Sequence, residues 1–155
     1  MMTISGRRSF IAAMAALAWA GWGQAAEVSV SDAWARATMP GQKVAGVYMT
    51  ITSVAPARLV AVETPAARVA EIHEMRNDGG VMKMRRMDGL TLPAGEPVAL
   101  APGGFHIMLM DIKQPLAVGQ EIALTLVVEA GGTRQSIPVK APVKAVGAAA
   151  GHEHH

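Results

Sequence analysis

From Glu27 to Lys140 the apolar positions fall in short runs, most of them three to ten residues long, broken by Pro, Gly, Asn and Asp. No stretch there keeps a 3.6-residue apolar period with helix caps, so the pattern predicts strands. The runs are Val44–Ser53, Ala57–Thr64, Arg68–Met75, Val81–Met87, Leu90–Leu92, Pro97–Leu100, Phe105–Ile112, Glu121–Glu129 and Thr133–Val139. Asn77-Asp78-Gly79-Gly80 reads as a turn, and Gly131-Gly132 as the tip of a hairpin. Strands of this length, with a turn every ten residues or so, predict an all-β sandwich or barrel in a single domain.

The two ends depart from this pattern. Arg7 and Arg8 precede an apolar run, Phe10 to Trp22, and small residues follow at Gly23-Gln24-Ala25. A basic start, a short apolar stretch and a small-x-small site make residues 1–26 a secretory signal peptide. Gly6-Arg7-Arg8-Ser9-Phe10-Ile11 also resembles a twin-arginine signal, and both export routes stay open. The working chain is then expected in a bacterial periplasm, with residues 27–140 as the folded domain and no membrane span in the mature chain. Residues 141–155 are rich in Ala, Gly and Val and end in Gly151-His152-Glu153-His154-His155, which reads as a flexible tail.

Composition narrows the chemistry. The 155 residues contain no Cys, which excludes disulfides, zinc–thiolate sites, iron–sulfur clusters and a blue-copper centre. Without Arg7 and Arg8 the 14 basic side chains fall to 12, against 12 acidic ones, too balanced for a nucleic-acid binder. Of eleven Met, Met1, Met2 and Met14 leave with the signal. Five of the remaining eight, Met75, Met82, Met84, Met108 and Met110, lie on three runs, two of which carry His73 and His106.

Side chains two apart on a strand share a face. His73 goes with Met75, Met82 with Met84, and His106 with Met108 and Met110. On the last run Phe105, Ile107 and Leu109 take the opposite, core-facing side, so the His/Met face points outward. Neutral thioethers with one or two imidazoles suit a soft d¹⁰ ion, Cu(I) above all. Met also fills irregular cores, and a single strand His is commonly structural, so spacing alone leaves packing and metal binding both open. Trp34, Tyr48 and Arg36 read as packing and sheet-edge residues. No nucleophile–base spacing stands out, so an enzyme is not expected.

His73, ten residues, Met84, twenty-one residues, His106-Ile107-Met108 resembles the motif of the periplasmic copper chaperones of the PCuAC family. Ala33-Trp34-Ala35-Arg36-Ala37, Ala45-Gly46-Val47-Tyr48 and Pro102 to Met110 also resemble that family. The resemblance implies a cupredoxin-like Greek-key sandwich with Cu(I) held by His73, Met84, His106 and Met108. It implies delivery toward the dinuclear copper site of cytochrome c oxidase, with the oxidase copper subunit and a Sco-type chaperone as partners. Met75, Met82 and Met110 are second candidates for a hand-off ligand or an apolar rim. His152, His154 and His155 offer a Cu(II) site on the tail, as in family members with longer His/Met extensions. The chain is expected as a monomer or a metal-bridged dimer. Copper sequestration for tolerance, or a non-metal β-sandwich interaction module, are the rival readings.

Overall fold

A computed structural model describes residues 26–145. They form ten strands and no helix: β1 Val28–Arg36, β2 Val44–Ser53, β3 Ala57–Glu63, β4 Ala67–Asp78, β5 Val81–Met87, β6 Leu90–Leu92, β7 Val98–Leu100, β8 Phe105–Ile112, β9 Glu121–Ala130 and β10 Thr133–Lys144. Among them no helix is long and apolar enough to cross a membrane. The signal-peptide reading and the tail histidines His152, His154 and His155 lie outside the described residues.

The hydrogen-bonded path runs β5-β4-β8-β2-β1-β10-β9-β3-β6, with β7 beside β2. Its strand pairs are antiparallel except β1–β10, which is parallel and pairs Ala35 with Val143 and Arg36 with Lys144. The path folds over at this junction. Ile51, Ile72, Ile107 and Leu109 from one side meet Leu59, Leu92, Leu124, Leu126 and Val128 from the other in a single buried cluster. This is the β-sandwich of cupredoxin-like type that the run lengths and the motif implied.

Period-two alternation decides which residues enter that core. On β9, Ile122, Leu124, Leu126 and Val128 are buried and the residues between them are more open. On β8, Ile107 and Leu109 are fully buried while Met108 and Met110 are half-buried on the other face. The His/Met face is therefore the outside of the β5-β4-β8-β2-β1 half.

Three boundaries differ from the sequence reading. β1 was not anticipated, because Ser29, Ser31 and Asp32 dilute its apolar signal; the register slips between Ser31 and Trp34, and Asp32 takes φ of 54° there. β4 continues through Asn77 and Asp78, so the turn is only Gly79 and Gly80, at φ of 62° and 87°. Two consecutive positive φ values are what a tight two-residue hairpin needs, and glycine supplies them without Cβ strain. β10 runs past the expected boundary at residue 140 to Lys144. Ala141 and Val143 are buried and Pro142 and Lys144 exposed, so residues 141–144 of what reads as a low-complexity tail belong to an alternating strand closing the sandwich.

Candidate metal centre

The β4–β5 hairpin and strand β8 assemble the site through register. The two-residue turn sets Met84 directly opposite Met75. β8 pairs on the other edge of β4, with His106 opposite His73 and Met108 opposite Glu71. β2 then sets Gly46 opposite Met108. Ten intervening residues between His73 and Met84 are thus a hairpin, and His106-x-Met108 is one face of one strand.

Met75, Met84, His106 and Met108 line a cleft of about 270 Å³ together with Arg36, Gln42 and Tyr48. His73 stands beside it, its ring centre 5.7 Å from that of His106. Met82 and Met110 share the outward faces but do not line the cleft. Met82 is exposed at the hairpin end opposite Asn77, and Met110 packs half-buried between Val44 and Val69. A larger cleft of about 440 Å³, between Pro65 and Ile122, holds no His or Met and offers no comparable chemistry.

The two imidazoles are oriented by acceptor-only partners. His73 Nε2 lies 2.8 Å from a Glu71 carboxylate oxygen, and His106 Nδ1 lies 3.2 Å from the Gly104 carbonyl. Neither partner can donate, so each of these nitrogens carries the proton. The other nitrogens, His73 Nδ1 and His106 Nε2, are left with bare lone pairs. Both are buried and have no hydrogen-bond partner. An orphaned buried acceptor costs about 1–3 kcal/mol, which a bound cation would relieve. Hydrogen-bonded imidazole with its second nitrogen free is also the usual arrangement of a metal-ligating His. Arg86 Nε, 3.4 Å from the other Glu71 oxygen, steadies the carboxylate.

Electrostatics favours the neutral form of His106. Burial holds His106 below the usual histidine range; the Gly104 carbonyl opposes this, while His73 and Arg36 add to it. Among the described residues no three His, Cys, Asp or Glu side chains converge on a possible metal position. The further soft side-chain donors lining the cleft are the thioethers of Met75, Met84 and Met108, which favour a soft ion over Zn, Mg or Ca.

Two contributions were missed in the sequence. Tyr48 and Arg36, read as packing residues, face the cleft: Tyr48 stacks on Trp34 at 4.6 Å and its ring lies 6.4 Å from His106. Gly46 is what admits this ring, since a Cβ there would sit 2.5 Å from the Tyr48 hydroxyl. Alternation places Trp34 with Arg36, and Gly46 with Tyr48, on the outward face, but only once β1 and its bulge are known. Glu71 was legible in principle, because Glu-x-His on a strand puts the carboxylate beside the imidazole.

A family described as "Putative lipoprotein LpqE-like" matches residues 28–143. A putative lipoprotein of Leifsonia xyli subsp. xyli is 39% identical over 122 residues, covering 78% of this chain and 72% of that protein. An uncharacterized protein of Rickettsia prowazekii is 36% identical over 106 residues, covering 64% of this chain and 59% of its own length. Among solved structures, the copper-bound PCuAC domain from PmoF2 superposes with a TM-score of 0.64 at 30% identity, over 79% of this chain and 97% of that one. The CuI form of DR1885 from Deinococcus radiodurans gives 0.59 at 32% identity, over 74% and 76%.

Proposed function

We propose, from the premise that this chain belongs to the LpqE-like family, that it is a copper carrier of the exported compartment. It takes up Cu(I) and passes it to an acceptor protein without catalysing a reaction. Similarity to the copper-bound PCuAC domain and to the CuI form of DR1885 supports copper as the cargo. The observation that carries the reading is the pair of unpartnered, buried imidazole nitrogens on His73 and His106, set beside the thioethers of Met84 and Met108.

The four ligands divide the work. His106, 4% exposed, is the inner anchor; His73 is fixed by Glu71. Met84 is 46% exposed on β5, the end strand of the sheet path. It is the side chain an incoming ligand reaches first. A neutral thioether is a weak, replaceable donor, so exchange proceeds as an acceptor Cys or His binds while Met84 leaves. Met75, directly across from Met84, is placed to hold the ion during that exchange. The motif resemblance supports the copper subunit of cytochrome c oxidase and a Sco-type chaperone as the exchange partners.

The test is Cu(I) competition against a chromogenic chelator under reducing conditions, for the parent protein, His106→Ala and Met108→Ala. Each substitution is expected to weaken binding by at least about tenfold. Unchanged affinity in both variants overturns the assignment.

A further inference from the structure

The cleft holds one charged side chain that the ligand set does not use. Arg36 follows Trp34 by two residues on β1, so alternation sends both to the outward face. Its guanidinium carbon lies 5.7 Å from the centre of the Tyr48 ring, and the side chain lines the same cleft as Met84, His106 and Met108. Its Nε is buried without a hydrogen-bond partner. Among the described residues Arg36 forms no ion pair: Glu71, the carboxylate beside His73, is already engaged by His73 and Arg86. A guanidinium stays protonated throughout the physiological range. A fixed positive charge with no ion-pair partner among the described residues thus stands beside the His106 imidazole and the thioethers.

We propose that Arg36 is a charge filter that biases the cleft toward a monovalent soft cation and against a divalent one. The inference rests on the copper reading above and deepens it. Coulomb repulsion grows in proportion to the charge of the incoming ion, so the logarithmic penalty on a dication is twice that on a monocation. Ligand softness already prefers Cu(I), but imidazoles also bind Cu(II) well, and nothing in a two-His set rejects it. Among the described residues no carboxylate lines the cleft to offset the second charge. Arg36 supplies the missing discrimination, and the Tyr48–Trp34 stack keeps it at the cleft.

A purely structural Arg36, serving only to cover the Tyr48 ring, makes a different forecast, because Lys keeps the charge and loses the planar stack while Gln loses the charge. The experiment uses the full chain carrying His152→Ala, His154→Ala and His155→Ala, so that tail imidazoles contribute no Cu(II) site. Cu(I) and Cu(II) dissociation constants are measured by chelator competition for this parent, Arg36→Gln and Arg36→Lys, with a thermal melt on each. Arg36→Gln is expected to tighten Cu(II) about tenfold and Cu(I) about threefold, the ratio that doubled charge demands. Arg36→Lys is expected to stay within about twofold of the parent for both ions. The filter is overturned if Cu(II) affinity does not rise relative to Cu(I) in Arg36→Gln, or if Lys and Gln shift together. Arg36→Met gives the same readout should the Gln variant fail to fold. A parent that binds no Cu(I) sinks the copper reading itself; a parent that binds, with the Gln variant unchanged, sinks only the filter.

Discussion

His73 and His106 face each other as a cross-strand pair, ring centres 5.7 Å apart, each with one nitrogen committed to an acceptor and the other left bare. The pairing makes Glu71 a remote lever on the cleft, since its carboxylate decides which His73 nitrogen carries the proton. Glu71→Gln keeps the shape but offers an amide that no longer demands a donor from His73. Cu(I) affinity is expected to fall about 10–100-fold, the usual cost of losing such a supporting group. Chelator competition reads the loss, and a melting temperature near that of the parent separates it from unfolding.

Ile107 and Met108 are neighbours on β8 that face opposite sides of the sheet. Ile107 is fully buried in the core, so Ile107→Ala is expected to cost about 2–5 kcal/mol of stability. Met108 is half-buried on the cleft side, and Met108→Ala is expected to cost less stability while removing a proposed copper ligand. Urea unfolding and Cu(I) competition on both variants should show this inversion.

Gly46 and Tyr48 share one face of β2, and the tyrosine ring lies over the glycine. A Cβ at position 46 would meet the Tyr48 hydroxyl at 2.5 Å and ring carbon Cζ at 2.9 Å. The ring is clamped by Trp34 and cannot yield freely. Gly46→Ala is expected to destabilise the fold by about 1–3 kcal/mol, as overpacking does. Near-ultraviolet circular dichroism should report the displaced aromatic pair.

The copper-free protein should lose stability on acidification. His106 is held below the ordinary histidine value of about 6.5 by burial, so the folded state prefers it neutral more than the unfolded chain does. That contribution is fully present above pH ~6.5 and is lost as pH falls from there through the depressed folded value. Urea midpoints of the parent and His106→Gln, measured from pH 7.5 downward, should converge as this contribution disappears.

Much of the fold was legible because the strands alternate cleanly. Phe105–Ile112 revealed both its core face and its outward face, since Ile107 and Leu109 are apolar between His106, Met108 and Met110. What stayed hidden has local causes. β1 hides behind polar Ser29, Ser31 and Asp32 and a bulge that resets its alternation. Ala141 and Val143 look like filler until β9 is there to pair with β10 and β1 is there to seal it. Within the site, spacing brought forward the residues that repeat a chemical type. It could not bring forward Arg36 or Tyr48, which act through where a neighbouring strand puts them, whereas Glu71 lies two residues before His73 on β4 and was there to be read. Met82 and Met110 carry the same outward alternation as Met84 and Met108, and only the register separates them from the cleft.

X-ray absorption on the Cu(I)-loaded protein tests the central claim most directly, because sulfur and nitrogen neighbours scatter distinguishably. Two imidazole nitrogens and two thioether sulfurs per copper are expected, with one sulfur missing in Met84→Ala unless Met75 takes its place. A copper shell of nitrogen and oxygen alone, with no sulfur, contradicts it.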